Sequence, residues 1–405
     1  SNHIGLAFIL IFFSKKRLNV EYFFVLYYIK LMSNFFQIAL FIIRKLFLID
    51  FERALFIASQ IFPPSQPELS LRRMKNFLLT YFVWKFGVKL PVKPIVLQIE
   101  SVRGCNFNCV MCRAGQFETR TMKFEEFKKI ICQFPETCAV IMNFAGEPFL
   151  SKDLLRMIRY ASVERKMLVT TFSNFSILPE PEKVIESGLY EIIASIDTFN
   201  REKFSVIREK GDLDVVVDNL KRLVQERRIR GKKIPVISIS AVFSRETKED
   251  AEDIIENAIK IGVDRVKFQR LFFSAPPYLH VPTKDDFAHL LYLKEKYKNK
   301  IDVRIYNFEW GGDSMPGFCY LASSMLTIDL FGNVFPCCTP YAIFEPHKSS
   351  LGIIHPSDQK LSEKVSDILR RRVEFISKMR YFTPDFCRSC PLFKREKWAN
   401  QQIKN

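Results

Sequence analysis

Six short runs rich in β-branched and apolar residues recur between residues 95 and 272, with helical patterns between successive runs. The runs are IVLQIES (95–101), CAVIMNFAG (138–146), MLVTTFS (167–173), YEIIASID (190–197), PVISISAVF (235–243) and RVKFQRLF (265–272). Between them, KFEEFKKIICQF, SKDLLRMIRYASVERK, PEKVIESG, DLDVVVDNLKRLVQERR and KEDAEDIIENAIKIG carry apolar residues at helical spacing. Strands joined through helices of this length pair in parallel, with right-handed crossovers. Near-continuous apolar strands are buried on both faces. The chain is therefore expected to be α/β, with residues 94–308 forming a partial (β/α)6 TIM-like barrel. Ligands in such folds gather at the carboxyl ends of the strands, so the residues ending each run are the candidates for chemistry.

The first run is followed by GCNFNCVMCRAG (104–115), with Cys105, Cys109 and Cys112 in a C-x3-C-x2-C spacing. Three thiolates can hold three irons of a four-iron cluster and leave the fourth iron open. A closed zinc site needs a fourth ligand, and no His or Cys lies in the next 19 residues, so zinc would have to draw on a distant segment.

The second run ends in Gly146, Glu147 and Pro148, the third in Ser173 and Asn174, and the fourth in Ser195 and Asp197. Each has an ordinary alternative: a surface turn for Gly-Glu-Pro, a turn residue for Asn174, a helix cap for Asp197. Arg208, in FSVIREKG, has a surface ion pair as its ordinary reading. Ser240 lies on the fifth run. On the sixth, alternation places Lys267 and Gln269 on one face and Arg270 on the other.

CNFNCVMC on a strand-end loop within a βα repeat resembles the radical S-adenosylmethionine (radical SAM) superfamily, over about residues 94–308. The resemblance implies a [4Fe–4S] cluster on Cys105, Cys109 and Cys112, with its open iron chelated by S-adenosylmethionine. Reduction would cleave that ligand to methionine and a 5′-deoxyadenosyl radical. Gly146, Glu147 and Pro148 resemble the family's Gly-Gly-Glu-Pro turn, with Ala145 in place of the first glycine; Glu147 would take the ligand's ammonium group. Ser173 and Asn174 align with a Thr-Asn-Gly motif whose glycine is here Phe175. Ser195 and Asp197 resemble a Ser-Leu-Asp motif facing the ribose, and Arg208 would neutralise the ligand's carboxylate. Ser240 is a weaker member of the same shell.

Beyond residue 309 the strand–helix pattern stops. Cys319 is followed by twelve residues, Gly332, four residues and Cys337; Cys387 and Cys390 come as C-x2-C fifty residues later. LTIDLFGNVFPC reads as a hairpin with its turn at Gly332-Asn333. Four thiols suffice for zinc or for a fully ligated four-iron cluster. Their order resembles the SPASM extension of peptide-modifying radical SAM enzymes, which implies an auxiliary [4Fe–4S] cluster on Cys319, Cys337, Cys387 and Cys390, with Cys338 as an alternative to Cys337. Residues 309–395 are thus expected to be a small cysteine-rich domain and 396–405 a tail. Cys132 and Cys138 are expected in the core.

Residues 1–93 are expected to be an apolar, basic helical extension. The first 94 residues hold 13 Lys/Arg against 4 Asp/Glu, about half of the chain's net charge of +17. LAFILIFF and YFFVLYYI are broken by SKKR and Lys30 short of a bilayer span. From Met32 to Phe62 a narrow polar stripe fits a helix docked on the barrel or lying at a membrane interface. If Met32 is the native start, residues 1–31 are upstream sequence. PPSQP (63–67) closes this stretch, and SLRRMKNFLLTYFVWKFG reads as a helix leading into the barrel.

With 48% hydrophobic and 26% charged residues the chain has material for a large core, which excludes a disordered chain. Cysteines grouped at short spacings point to metal ligation in a reducing cytoplasm rather than to a secreted disulfide scaffold. Nucleic acid is an unlikely partner, because no RNA- or DNA-binding module accompanies the charge. The expected function is radical SAM oxidation or crosslinking of a peptide or protein, with a reductant such as flavodoxin or ferredoxin. The alternatives are modification of a lipid, sugar or tetrapyrrole precursor, and a non-catalytic iron–sulfur or zinc scaffold. Cytoplasmic location, with peripheral membrane association through the extension as an alternative, completes the expectation.

Overall fold

The computed structural model describes residues 51–86, 88–271, 278–306, 319–338 and 349–379, together with Tyr381, Pro384 and Cys387. Expectations for residues 1–50 and for Cys390 lie outside these residues. The chain divides into two compact units, Ser1–Ser70 and Leu71–Asn405. In the first, helix α1 (Phe51–Ile61) runs into a turn where Ser70 Oγ donates to Pro63 O at 2.9 Å. Helix α2 (Pro67–Phe86) then leads into the second unit and contains the expected SLRRMKNFLLTYFVWKF stretch. Among the described residues no helix is long and apolar enough to cross a membrane.

The second unit is built on one ten-stranded sheet. All six expected strands are present: β1 (Val96–Ile99), β2 (Ala139–Ile141), β3 (Leu168–Ser173), β4 (Glu191–Ser195), β5 (Val236–Phe243) and β6 (Arg265–Arg270). They lie side by side in chain order, and every pairing is parallel. The α/β class and the barrel-like parallel sheet are those expected. A seventh strand, β7 (Asp302–Tyr306), pairs parallel to β6 and forms one edge. Its polar–apolar alternation, DVRIY, is that of an edge strand, unlike the continuous apolar runs, and so it escapes a search for such runs.

At the opposite edge, β8 (Met325–Ile328) pairs parallel to β1 and turns antiparallel into β9 (Asn333–Phe335), followed by β10 (Gly352–Ile353). The expected hairpin thus continues the barrel sheet.

Strand alternation divides the sheet into two kinds of face. Ile192, Ala194, Ile237, Ile239, Ala241, Val266 and Phe268 are all buried and belong to one continuous apolar core with the helices. The other face carries Glu191, Ser195, Ser238, Ser240, Arg265 and Lys267. There Glu191 Oε1 accepts from Ser238 Oγ at 2.6 Å and Arg265 Nη1 at 2.8 Å, and lies 2.7 Å from Lys267 Nζ. Burial by itself would raise Glu191, but Lys267 and Arg265 outweigh it and hold its carboxyl below the ordinary range.

Cys138 is buried at the foot of β2, as expected. Cys132 is not in the core. It caps the C-terminus of α3 (Phe124–Ile131), beyond that helix's buried stripe, and is exposed with its Sγ 3.1 Å from Tyr160 Oη.

Candidate functional site

After β1, a two-residue ribbon pairs Val102–Arg103 with Arg120–Thr121 and brings Gly104 against Gly146. Gly104 N donates to Ala145 O, and Glu147 N to Gly104 O, both at 3.0 Å. A Cβ on Gly146 would lie 2.4 Å from Val102 O and 2.7 Å from Gly104 O, so no larger residue permits this approach. The cysteine loop is pinned on its far side as well. Asn108 N donates to Glu209 O at 2.9 Å and Val110 N to Ile207 O at 3.0 Å.

Donors surround the three sulfurs. Phe107 N lies 3.4 Å from Cys105 Sγ, Ala114 N 3.4 Å from Cys112 Sγ, and Asn174 Nδ2 3.6 Å from Cys105 Sγ. Arg208 Nη1 is 3.9 Å from Cys109 Sγ. Burial nevertheless raises the Cys105 thiol and pushes Cys109 up to about 12, and the neighbouring thiols add to both shifts. Ligation requires thiolates, so a metal group taken up here would displace protons.

The chemistry of the donor set suits a four-iron cluster, which takes three thiolates and leaves its fourth iron open, whereas a closed tetrahedral zinc site needs a fourth protein ligand.

Glu147 lies beside this loop, 3% exposed. Its Oε1 accepts from Ser173 Oγ at 2.8 Å and Phe149 N at 3.2 Å, and its Oε2 from Asn174 N at 2.7 Å. Burial pushes its carboxyl up to about 7 against these donors and Arg208. Pro148 follows as the first residue of a single helical turn. Asn174 reaches back to the cysteine loop, with Nδ2 2.9 Å from Asn106 Oδ1. Phe175, where the motif it resembles has glycine, takes the left-handed backbone (φ 58°) that glycine adopts most easily, with a fully buried ring.

Asp197 and Arg208 form a second buried group. Asp197 Oδ1 accepts from Val242 N at 2.7 Å, and Oδ2 lies 2.8 Å from Arg208 Nε. The helix-cap alternative for Asp197 fails, because Asn200 caps α6 (Arg201–Ile207) by accepting from Lys203 N. The surface-pair alternative for Arg208 fails too, since both partners are buried. Burial opposes charge on Arg208, but Asp197 and Cys109 outweigh it and raise the guanidinium. Beside this close ion pair a carboxylate oxygen retains lone-pair capacity, so Asp197 Oδ2 can also accept from a ligand hydroxyl. Ser195 and Ser240 stand side by side in the register of β4 and β5.

Two members of the network carry weaker signals in the sequence. Asn106, inside the cysteine motif, bridges Asn174 and Ser176 Oγ. Glu100, the only charged residue in IVLQIES, is fully buried and accepts from Ala145 N at 3.2 Å, Leu330 N at 2.8 Å and Arg103 Nη2 at 2.8 Å. It ties the cysteine-bearing segment, the Gly-Glu-Pro turn and the C-terminal hairpin to one carboxylate.

Residues 99–258 match the family model described as the Radical SAM superfamily. The chain carries a radical SAM domain. "Probable GTP 3',8-cyclase" of Pyrococcus abyssi is 25% identical over 235 residues, 53% of this chain and 74% of that protein. GTP 3',8-cyclase of Saccharophagus degradans is 24% identical over 220 residues, 52% of this chain and 63% of its own length. Streptococcus suis SuiB bound to S-adenosylmethionine shares the fold, with a TM-score of 0.58, 16% identity and 84% of each chain covered.

Behind the radical SAM domain, Cys319 is the N-cap of α10 (Tyr320–Ser324). The pairing of Thr327 with Phe335 carries Cys337, two residues on, back toward Met325 at the end of that helix. Cys319 and Cys387 pack into one apolar cluster with Val83, Val92, Ala322, Ile376 and Met379. Cys337 and Cys338 are both half-buried. Segments 68 residues apart in sequence thus contribute thiols to one region.

Proposed function

We propose that the protein is a radical SAM enzyme that cleaves S-adenosylmethionine reductively and removes hydrogen from an unactivated C–H bond of a peptide or protein, as an oxidative maturase. The observation that carries this reading is the three-thiol loop pinned against Glu147, Asn174 and the Asp197–Arg208 pair, all at the carboxyl ends of the parallel strands. A non-catalytic scaffold needs no such shell.

Cys105, Cys109 and Cys112 would hold the cluster, which with bound S-adenosylmethionine supplies one-electron cleavage to methionine and a 5′-deoxyadenosyl radical. Glu147, oriented by Ser173 and Asn174, would accept from the ligand's ammonium group, which favours its ionised form. Asp197, paired with Arg208, would accept from a ribose hydroxyl through Oδ2. Burial of this shell keeps water away from the reacting atoms. Cys319, Cys337, Cys387 and Cys390 would hold an auxiliary cluster, an electron acceptor for the oxidised substrate. A flavodoxin or ferredoxin would supply the reducing electron.

The peptide substrate is supported by the second thiol group and by the fold shared with SuiB, which has been solved with the precursor peptide SuiA. A second reading, a nucleotide-sized small molecule, draws on the GTP 3',8-cyclase relatives. Anaerobic reconstitution, reduction and assay of 5′-deoxyadenosine tests the reaction class: turnover is expected, and none from Cys109→Ala. Peptide mass loss in the presence of a cognate precursor, against consumption of GTP, separates the two substrates.

A further inference from the structure

Arg372, on α11 (Leu361–Lys378), is fully buried, and among the described residues no carboxylate pairs with it. Its Nη2 donates to Ser323 O at 2.7 Å and its Nη1 to Val92 O at 3.1 Å, while Nε has no hydrogen-bond partner. Among the described residues, three other strongly buried guanidiniums have a carboxylate partner, Asp197 for Arg208, Glu191 for Arg265 and Asp264 for Arg227, while Arg73 donates to the Lys166, Thr137 and Arg165 carbonyls. Two carbonyl dipoles are a thin substitute for a counter-ion, and an unpaired buried charge is costly.

Both carbonyls lead to the second thiol group. Ser323 lies in the helix capped by Cys319, and its Oγ donates to Cys319 O at 3.2 Å. Val92 packs in the cluster that holds Cys319 and Cys387, and so does Ile376, one helical turn along from Arg372. The cation therefore borders the segments that would bind the auxiliary cluster. A four-iron cluster on four thiolates is an anion, and each electron it takes up makes it more negative.

We propose that Arg372 is the counter-cation of the auxiliary cluster and raises its reduction potential. The inference rests on the auxiliary-cluster reading given above. The redox step is a one-electron uptake with no proton transferred, so a fixed positive charge favours the reduced form.

The test uses the full chain with Cys105, Cys109 and Cys112 all replaced by Ala, reconstituted anaerobically with iron and sulfide. Redox titration followed by EPR compares this parent with the same chain carrying Arg372→Met or Arg372→Lys. Arg372→Met should keep its iron but show a reduced-to-oxidised ratio about tenfold lower at fixed potential, a shift of about 59 mV for one electron. Arg372→Lys should stay close to the parent. If Arg372→Met does not fold, Arg372→Gln, which still donates one hydrogen bond, reads the same loss of charge. A neutral variant titrating with the parent would show that Arg372 only braces two carbonyls, and the proposal would be overturned. A parent that binds zinc or no iron would overturn the auxiliary-cluster reading and this proposal together, while 5′-deoxyadenosine formation by the unmodified chain reports on the first cluster separately.

Discussion

Cys105, Cys109 and Cys112 share one loop whose backbone is pinned at Gly104, Asn108 and Val110, whereas Cys319, Cys337 and Cys387 come from three separate segments. The first group is bordered by ionisable and amide side chains: Glu147, Asn174, Asp197 and Arg208. Of the second, Cys319 and Cys387 sit among apolar side chains, with the buried Arg372 bonded to the helix that Cys319 caps. The difference fits two tasks. A polar shell around an open iron can receive a charged ligand, while an apolar surrounding excludes water from a fully ligated cluster and tunes its potential through few fixed charges.

Replacing thiols tests this contrast most severely. Cys109→Ala should abolish 5′-deoxyadenosine formation, with iron retained only at the C-terminal group; Cys387→Ala should lower iron content yet leave uncoupled cleavage measurable. Equal loss of cleavage in both would mean that the two groups are not independent. Arg208→Met comes next, because it strands the buried Asp197 carboxylate. It should cost about 3–5 kcal/mol by urea denaturation, and a smaller cost would mean that water reaches the Asp197 carboxylate once the guanidinium is gone.

Acid–base behaviour sharpens the polar side of the comparison. The Glu147 carboxyl titrates at about 7 in the fold, against an ordinary value of 4.5. A raised value means that protonation favours the folded state, so its contribution is complete below about pH 4.5 and is lost as pH rises through about 7. The ligand-free chain should lose up to about 3 kcal/mol across that window. Glu147→Gln should flatten the dependence, as should saturating S-adenosylmethionine. A denaturation midpoint that rises over the same interval would contradict the burial of this carboxyl.

The smallest effect is expected of Gly146→Ala, about 1–3 kcal/mol from crowding the Val102 and Gly104 carbonyls. Iron at the first thiol group should become labile to chelators while the second keeps its own. Loss from both alike would place the strain beyond the loop.

Much of this arrangement is legible in the chain because it is local. C-x3-C-x2-C lies within eight residues, the strand ends follow apolar runs, and each βα unit folds its own motif toward one edge of the sheet. The missing parts are non-local or weakly patterned. Strand β7 alternates where its neighbours are continuously apolar. Glu100 stands out only as one charge in an apolar run, and its partners Ala145 and Leu330 are 45 and 230 residues away. Cys132 shows the opposite error: its helix is amphipathic, but the cap position lies past the buried stripe.

Spacing and periodicity by themselves determined the parallel α/β frame and the loop that gathers three sulfurs, since both depend on contacts within a turn or a single βα unit. Only the tertiary structure decided that Asp197 and Arg208 are buried together, that the C-terminal hairpin joins the sheet at β1, and that Arg372 lies inside with no carboxylate partner among the described residues. Those outcomes follow from which distant surfaces pack together and exclude water, and burial sets the cost of a charge far more strongly than residue type does.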